Sequence, residues 1–533
     1  MEAGSAPPAA NAPPGSPSGD RRSVRLVAAS LLLLAAGGFV FRGVCNYAAD
    51  VGGIRWLPRP LSRLINPPLP ELRPPPPPPK PVREIVPGEP GVLAEDSLDQ
   101  LQAGAVPAWR HPAAIQSGES QPAASVTDWQ AFSLPAAVRW QTPLVVTGTA
   151  TPIVLNDMVL LTGVDPSETL WLVAHAVADG SRLWQTKITS GGFPSRHGKT
   201  SDAASTPCCD GRQIYVAWVN DHTAWLAAFS LAGEPRWQTA LGRFAATHGF
   251  ASSPALSHGL VLLNVDNGPQ SFMVAVQATT GEIRWRRKRP AHGDGSYSSP
   301  VVVAQPAPAQ PVESDPADPS AALFTPATIV SGLEAIECRR LADGELLWQA
   351  GGIASVSAIT PLIADGICVA GSGFPERVLL ALKLDEFDEP KISETAGRVV
   401  TTGPTPKLLW RETKSSEVPY VPSPVVKEGR LYLVHDDGLA HCRDLTTGNV
   451  LWKRRVGGSF TASPILIGNT MLCVSETGAC SLLALKDGEI LQQFQLPGGC
   501  FATPRLLADS LLFRTTADLL CIKLPVVASP NHR

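Results

Sequence analysis

Three observations predict an all-β fold, an eight-bladed β-propeller of four-stranded antiparallel blades. A Ser or Thr followed by Pro recurs eight times: Thr151-Pro152, Thr206-Pro207, Ser253-Pro254, Ser299-Pro300, Thr360-Pro361, Ser423-Pro424, Ser463-Pro464 and Thr503-Pro504. An aromatic residue recurs in phase with it, at Trp140, Trp184, Trp237, Trp285, Trp348, Trp410, Trp452 and Phe494. Between successive dipeptides lie short runs rich in Val, Leu and Ile, separated by turns such as Ala178-Asp179-Gly180 and Thr280-Gly281-Glu282, whose Gly and Asp supply the positive φ of tight hairpins. A period of 40 to 63 residues with four strands per unit fits propeller blades, and no segment carries the sustained 3.6-residue apolar stripe of a helical solenoid.

The elements follow in chain order. Of 52 prolines in 533 residues, 22 fall in residues 1–127, so this end reads as tail and linker rather than core. Residues 1–25 are expected to be a cytoplasmic tail. Arg21, Arg22 and Arg25 precede Leu26 to Phe41, sixteen residues without charge, or roughly 24 Å as a helix. That length lies between a signal-peptide core and a full span. Arg42-Gly43-Val44-Cys45 offers no good cleavage site, so residues 26–44 are expected to be a retained transmembrane signal anchor. Arg42 and Val44 fit a lipoprotein signal at Cys45 poorly, and Asp20 and Val24 fit a twin-arginine signal weakly. With the basic side cytoplasmic, the expected location is single-pass in the inner membrane with the folded part in the periplasm. Residues 45–127 form a Pro-rich linker whose run Pro74 to Pro79 is a polyproline II spacer, with a docking ligand for an aromatic groove as the rival reading.

Residues 128–525 are the propeller, and 526–533 a tail. Pro suits the first strand position of each unit, where its missing N–H costs little. The last unit, Thr503 to Leu524, supplies three strands, whereas Val138 to Thr142 is a Trp-bearing strand with no unit before it. The N-terminal strand therefore closes the C-terminal blade and removes free sheet edges. Two insertions, Gln305 to Ser320 and Asp385 to Pro406, read as exposed loops.

Asp179-Gly180-Ser181-Arg182-Leu183-Trp184, Thr280-Gly281-Glu282-Ile283-Arg284-Trp285 and Thr447-Gly448-Asn449-Val450-Leu451-Trp452 resemble the pyrroloquinoline-quinone (PQQ) repeat with its Thr-Gly-x-x-x-Trp docking motif. The resemblance covers residues 128–525 and implies that the aromatic set locks blade to blade. It extends to two functional groups, quinoprotein alcohol dehydrogenases and BamB-like outer-membrane-assembly scaffolds, and to the PQQ-like propellers of planctomycetes. The motif therefore specifies fold and not activity.

The enzyme alternative, a PQQ- and calcium-dependent dehydrogenase, rests on Cys208 and Cys209, since the resemblance implies an adjacent-cysteine disulfide beside the quinone. The residues themselves read as first-strand positions matching Ala255-Leu256 and Val425-Val426, and no Glu, Asn and Asp set for calcium accompanies them. No zinc-like spacing occurs among the ten cysteines; buried thiol is the expected state of Cys338, Cys368, Cys442, Cys473, Cys480 and Cys521, and Cys473 and Cys480 flank a hairpin turn and could face each other. No metal or cofactor is expected under the scaffold reading.

With 44 basic and 47 acidic side chains, the net charge of −3 provides no field for a nucleic-acid partner. The basic run Arg284, Arg286, Arg287, Lys288 and Arg289 reads as a solvated strand edge. Propellers work through the loops that lead into the innermost strands. Three such loops bear His197 with Lys199, His248, and His292 with Asp294 and Tyr297, the candidate ligand site at the channel mouth, with Phe460 and Phe501 as an apolar rim. The expected role is a non-catalytic scaffold or binding module for an envelope protein; a small-molecule sensor is the third reading.

Overall fold

The computed structural model describes Trp129 and residues 132–246, 248–290, 295–306, 324–388, 392–395, 398–401 and 404–525. The expected tail, anchor and linker therefore lie outside the described residues, as do His292, Asp294 and residues 526–533. Among the described residues no helix is long and apolar enough to cross a membrane.

Eight four-stranded antiparallel sheets follow one another around a ring. Blade 1 is built from Ile153–Leu155, Met158–Val164, Thr169–Ala176 and Arg182–Ser190. Blades 2 to 7 repeat this order over residues 208–243, 255–288, 301–350, 362–412, 425–455 and 465–495. Blade 8 takes Arg505–Leu506, Ser510–Arg514 and Asp518–Lys523 from the C-terminus and its outer strand, Val138–Pro143, from the N-terminus, paired antiparallel with Asp518–Lys523. The two ends of the ring are thus tied into one sheet, which leaves no open joint.

Each middle strand has two buried faces. Alternate side chains point to opposite sides, so Ile214, Val216 and Trp218 enter the core shared with blade 1, while Tyr215, Ala217 and Val219 enter the core shared with blade 3. One apolar cluster of this kind fills each of the eight joints. This explains why the middle strands read as continuous apolar runs without alternation.

The outer-strand aromatics reach across those joints. Trp140, Trp237, Trp285, Trp410 and Trp452 donate their indole N–H to the carbonyls of Val177, Ala278, Leu341, Leu445 and Leu485 in the next blade, at 2.8 to 3.0 Å. Each ring then lies on the next blade's turn glycine. At Gly180, φ is +73° and a Cβ would sit 2.4 Å from the Trp140 ring, so only glycine satisfies both the turn and the close approach. Two residues beyond Trp, a donor clasps the same turn: Thr142 to Gly180 O, Thr186 to Gly233 O, Thr239 to Gly281 O, Arg287 to Asp343 O and Arg454 to Gly488 O. Phe494 instead meets Phe132, ring centroids 5.0 Å apart, where the segment before Val138 covers blade 7.

Two expectations need correction. The insertion after Asp385 is not simply a loop: the third and fourth strands of blade 5 continue outward, pairing Phe387 with Pro406 and Asp388 with Thr405, and Ile392–Thr395 pairs with Arg398–Thr401 in a separate hairpin. The β-branched run at Val399 to Thr402 favours strand over coil. Phe460 is no rim residue, for it is 1% exposed in the core between blades 6 and 7.

Candidate functional site at the channel mouth

The Ser/Thr-Pro dipeptides build the inner wall. Proline cannot donate, but the residue before it can, and its N–H crosses to the hydroxyl of the equivalent residue in the next blade. The links run Thr151 to Thr206, Thr206 to Ser253, Ser253 to Ser299, Ser299 to Thr360, Thr360 to Ser423, Ser423 to Ser463 and Ser463 to Thr503, all at 2.9 to 3.2 Å. These hydroxyls form a girdle around the channel. At the closing joint, among the described residues, no such link joins Thr503 to Thr151; there Arg514 of blade 8 donates Nη1 to Ala150 O at 3.0 Å.

Above the girdle opens a cavity of about 380 Å³, within the range of small-molecule sites. All eight lead-in loops contribute to it, among them through Thr149, His197, His248, Tyr297, Ala358, Tyr420, Thr461 and Phe501. His197 and His248 are brought together, with rings nearly parallel at 15° and centroids 6.4 Å apart. The Lys199 N–H donates to His197 Nδ1 at 3.2 Å, which makes that nitrogen an acceptor and leaves the proton of the neutral ring on Nε2.

Lys199 does not stand alone. Its Nζ lies 2.8 Å from Glu476 Oε1 of blade 7, which also accepts from Thr461 at 2.6 Å. A second pair sits in blades 5 and 6: Arg377 meets Asp436 at 2.9 Å, and Asp436 also accepts the backbone N–H of Tyr420 and Val421 at 2.6 and 3.3 Å. Burial, with Asp436 nearby, pushes the Tyr420 phenol up, so it stays protonated. Tyr420 lies flat on Gly373, where a Cβ would come within 1.6 Å of the ring, and beside it Phe374 is 59% exposed.

Arg377, Asp436 and Glu476 were not anticipated. They lie in turns between second and third strands, which share the face of the lead-in loops, and Lys199 and Glu476 are 277 residues apart in sequence. Only the blade geometry relates them.

Cys208 and Cys209 lie outside the cavity lining. Both are free, and as strand neighbours they face opposite ways: Cys208 into the core of blades 2 and 3, Cys209 against that of blades 1 and 2. Burial pushes the Cys209 thiol up to about 11. The two thiols of the enzyme alternative are thus separate in this structure and lie away from the cavity. Cys473 and Cys480 likewise enter different joints and are free. Among the described residues no three His, Cys, Asp or Glu side chains are grouped to hold a metal ion.

A protein-family profile described as outer membrane protein assembly factor BamB matches residues 139–287, 170–350 and 395–510. The curated outer membrane protein assembly factor BamB of Yersinia pestis is 22% identical over 352 residues, 63% of this chain and 75% of that protein. Among solved structures, BamB from Moraxella catarrhalis is 13% identical with a TM-score of 0.46, covering 72% of this chain and 99% of that one. A quinohemoprotein alcohol dehydrogenase from Pseudomonas putida HK5 is 14% identical with a TM-score of 0.47, covering 74% and 78%.

Proposed function

Because the chain belongs to the family of the outer membrane protein assembly factor BamB, we propose that it is a non-catalytic propeller scaffold that presents its channel-mouth face to an envelope protein. It acts from the periplasmic side of the inner membrane, anchored through residues 26–44, with the Pro-rich segment as spacer. The observation that carries this reading is the composition of the mouth face. All eight lead-in loops converge there, the cations Lys199 and Arg377 are matched by Glu476 and Asp436, and Phe374 stands 59% exposed beside Tyr420. Aromatic anchors within a polar rim are the anatomy of a protein-binding surface.

The test is titration of the purified full chain with PQQ and calcium, followed by dye-linked alcohol and aldose oxidation. The scaffold reading expects no stoichiometric quinone binding and no turnover. Tight quinone binding with turnover overturns it.

A further inference from the structure

Arg514 is out of balance with its surroundings. Its side chain is buried, Nη1 donates to Ala150 O, and neither Nε nor Nη2 has a partner among the described residues. Burial lowers its pKa only to about 10, so it remains charged at neutral pH. Two glycines make room for it: a Cβ at Gly148 would lie 2.6 Å from Nη2, and one at Gly163 3.2 Å. Among the described residues no carboxylate pairs with it. A buried charge without a counter-charge is among the costliest features a fold can retain.

Its position gives that charge a direction. Ala150, which it holds, lies between Thr149 and Thr151, and both line the mouth cavity. Within the set formed by Lys199, Arg377, Asp436, Glu476 and Arg514, two ion pairs leave Arg514 as the unmatched charge. Neighbouring Arg196 and Asp202 cancel each other in an ion pair of 2.6 Å. The girdle adds donors. Thr206, Ser253, Ser463 and Thr503 line the cavity, each hydroxyl accepts one backbone N–H, and among the described residues none of the four spends its own proton. The floor of the mouth is thus rich in unspent O–H donors, with the unmatched Arg514 behind its wall, and Phe501 and Tyr420 flank it.

We propose that the channel mouth binds a small oxygen-rich anion, a molecule bearing a carboxylate or phosphate group, seated on the girdle hydroxyls and Lys199 with Arg514 supplying the uncompensated charge behind the wall. A small ring or chain attached to the anion packs against Phe501 and Tyr420. This goes beyond the scaffold reading and does not depend on it, since a protein partner can dock on Phe374 with the mouth empty or filled.

The experiment is isothermal titration of the full chain with benzoate, phenyl phosphate and the neutral benzyl alcohol, repeated at low and high salt. Saturable binding of one or both anions, weakened by salt, with benzyl alcohol at least about tenfold weaker, is expected; whichever anion binds more tightly identifies the carboxylate or the phosphate source. Lys199→Gln and Arg514→Leu each lower the affinity at least about tenfold, whereas Lys427→Gln, which removes a cation from the opposite face, leaves it unchanged. Should Arg514→Leu not fold, Lys199→Gln against Lys427→Gln carries the comparison. Benzyl alcohol binding as tightly as benzoate, equal losses in Lys199→Gln and Lys427→Gln, or no binding by any probe overturns the proposal. None of these results alters the quinone titration, so the two readings fail separately.

Discussion

The joint between blades 3 and 4 and the joint between blades 8 and 1 each bury an arginine, and they treat it in opposite ways. Arg289 sits between Asp266 and Glu337 at 2.8 Å each, all three side chains at most 2% exposed, and Arg339 reaches the same Glu337 at 3.2 Å. Two cations face two carboxylates, so the cluster is neutral and its polar groups hold one another. Arg514, at the joint where the two ends of the ring meet, has one backbone carbonyl and, among the described residues, no counter-charge. A compensated buried charge fixes geometry, whereas an uncompensated one is a standing attraction for something not made by the fold. The closing joint is also where the hydroxyl girdle lacks its link, so the least regular joint and the least satisfied charge coincide.

The largest effect that sharpens this contrast falls on the compensated joint. Glu337→Ala strands Arg289 and Arg339 in a dry interior and is expected to lower unfolding free energy by about 3–5 kcal/mol, read by denaturant titration; Arg514→Leu removes a lone charge, and the same titration is expected to show a change near zero or a gain in stability. A loss at Arg514 as large as that at Glu337 breaks the comparison. Gly448→Val comes next. It places a branched side chain at φ +72° and its Cβ 2.7 Å from Trp410, with strain of about 1–3 kcal/mol before the clash is counted; an unchanged melting temperature would remove the Trp–Gly contact from the account of blade docking.

A smaller effect separates blade 4 from blade 6. Glu337 and His441 occupy the same place in their third strands, two residues before Arg339 and Arg443, each of which donates to its own turn glycine, Gly344 or Gly448. Burial, with Arg443 nearby, holds His441 down at about 3 from an ordinary 6.5. Its neutral form contributes stability that is present above pH 6.5 and lost as the pH falls toward 3. Burial would raise Glu417, but Lys414, Lys453 and Arg443 outweigh it and hold the carboxyl at about 2 instead of 4.5, a contribution lost between pH 4.5 and 2. His441→Leu is expected to flatten the stability profile between pH 6.5 and 3 and Glu417→Gln only below pH 4.5, as measured by melting temperature against pH. The same slope in both variants and the parent would contradict the assignment.

Much of the ring was legible in the sequence because its signals are local: the Ser/Thr-Pro dipeptide, the Gly turn and the Trp sit within a few residues of the strands they mark. Even so, the hydroxyl of the dipeptide escaped notice, since its partner is the N–H of another blade, 40 to 63 residues away. The mouth was legible through His197, Lys199, His248, Tyr297 and Phe501. Glu476, Arg377 and Asp436 come from turns of later blades and meet Lys199 and Tyr420 only once the ring is closed. Arg514 reads in sequence as the polar end of an apolar strand, and its isolation is a property of what surrounds it, which no single strand encodes.

The central claim is that the mouth face works by binding a protein partner. Its most direct test is photo-cross-linking of the full-length protein in intact cells, with the probe at Phe374 beside the mouth or at Leu451, 49% exposed on the outer strand of blade 6. The account predicts a discrete adduct with one envelope protein from Phe374 and none from Leu451; adducts from Leu451 alone, or the same adducts from both, would contradict it.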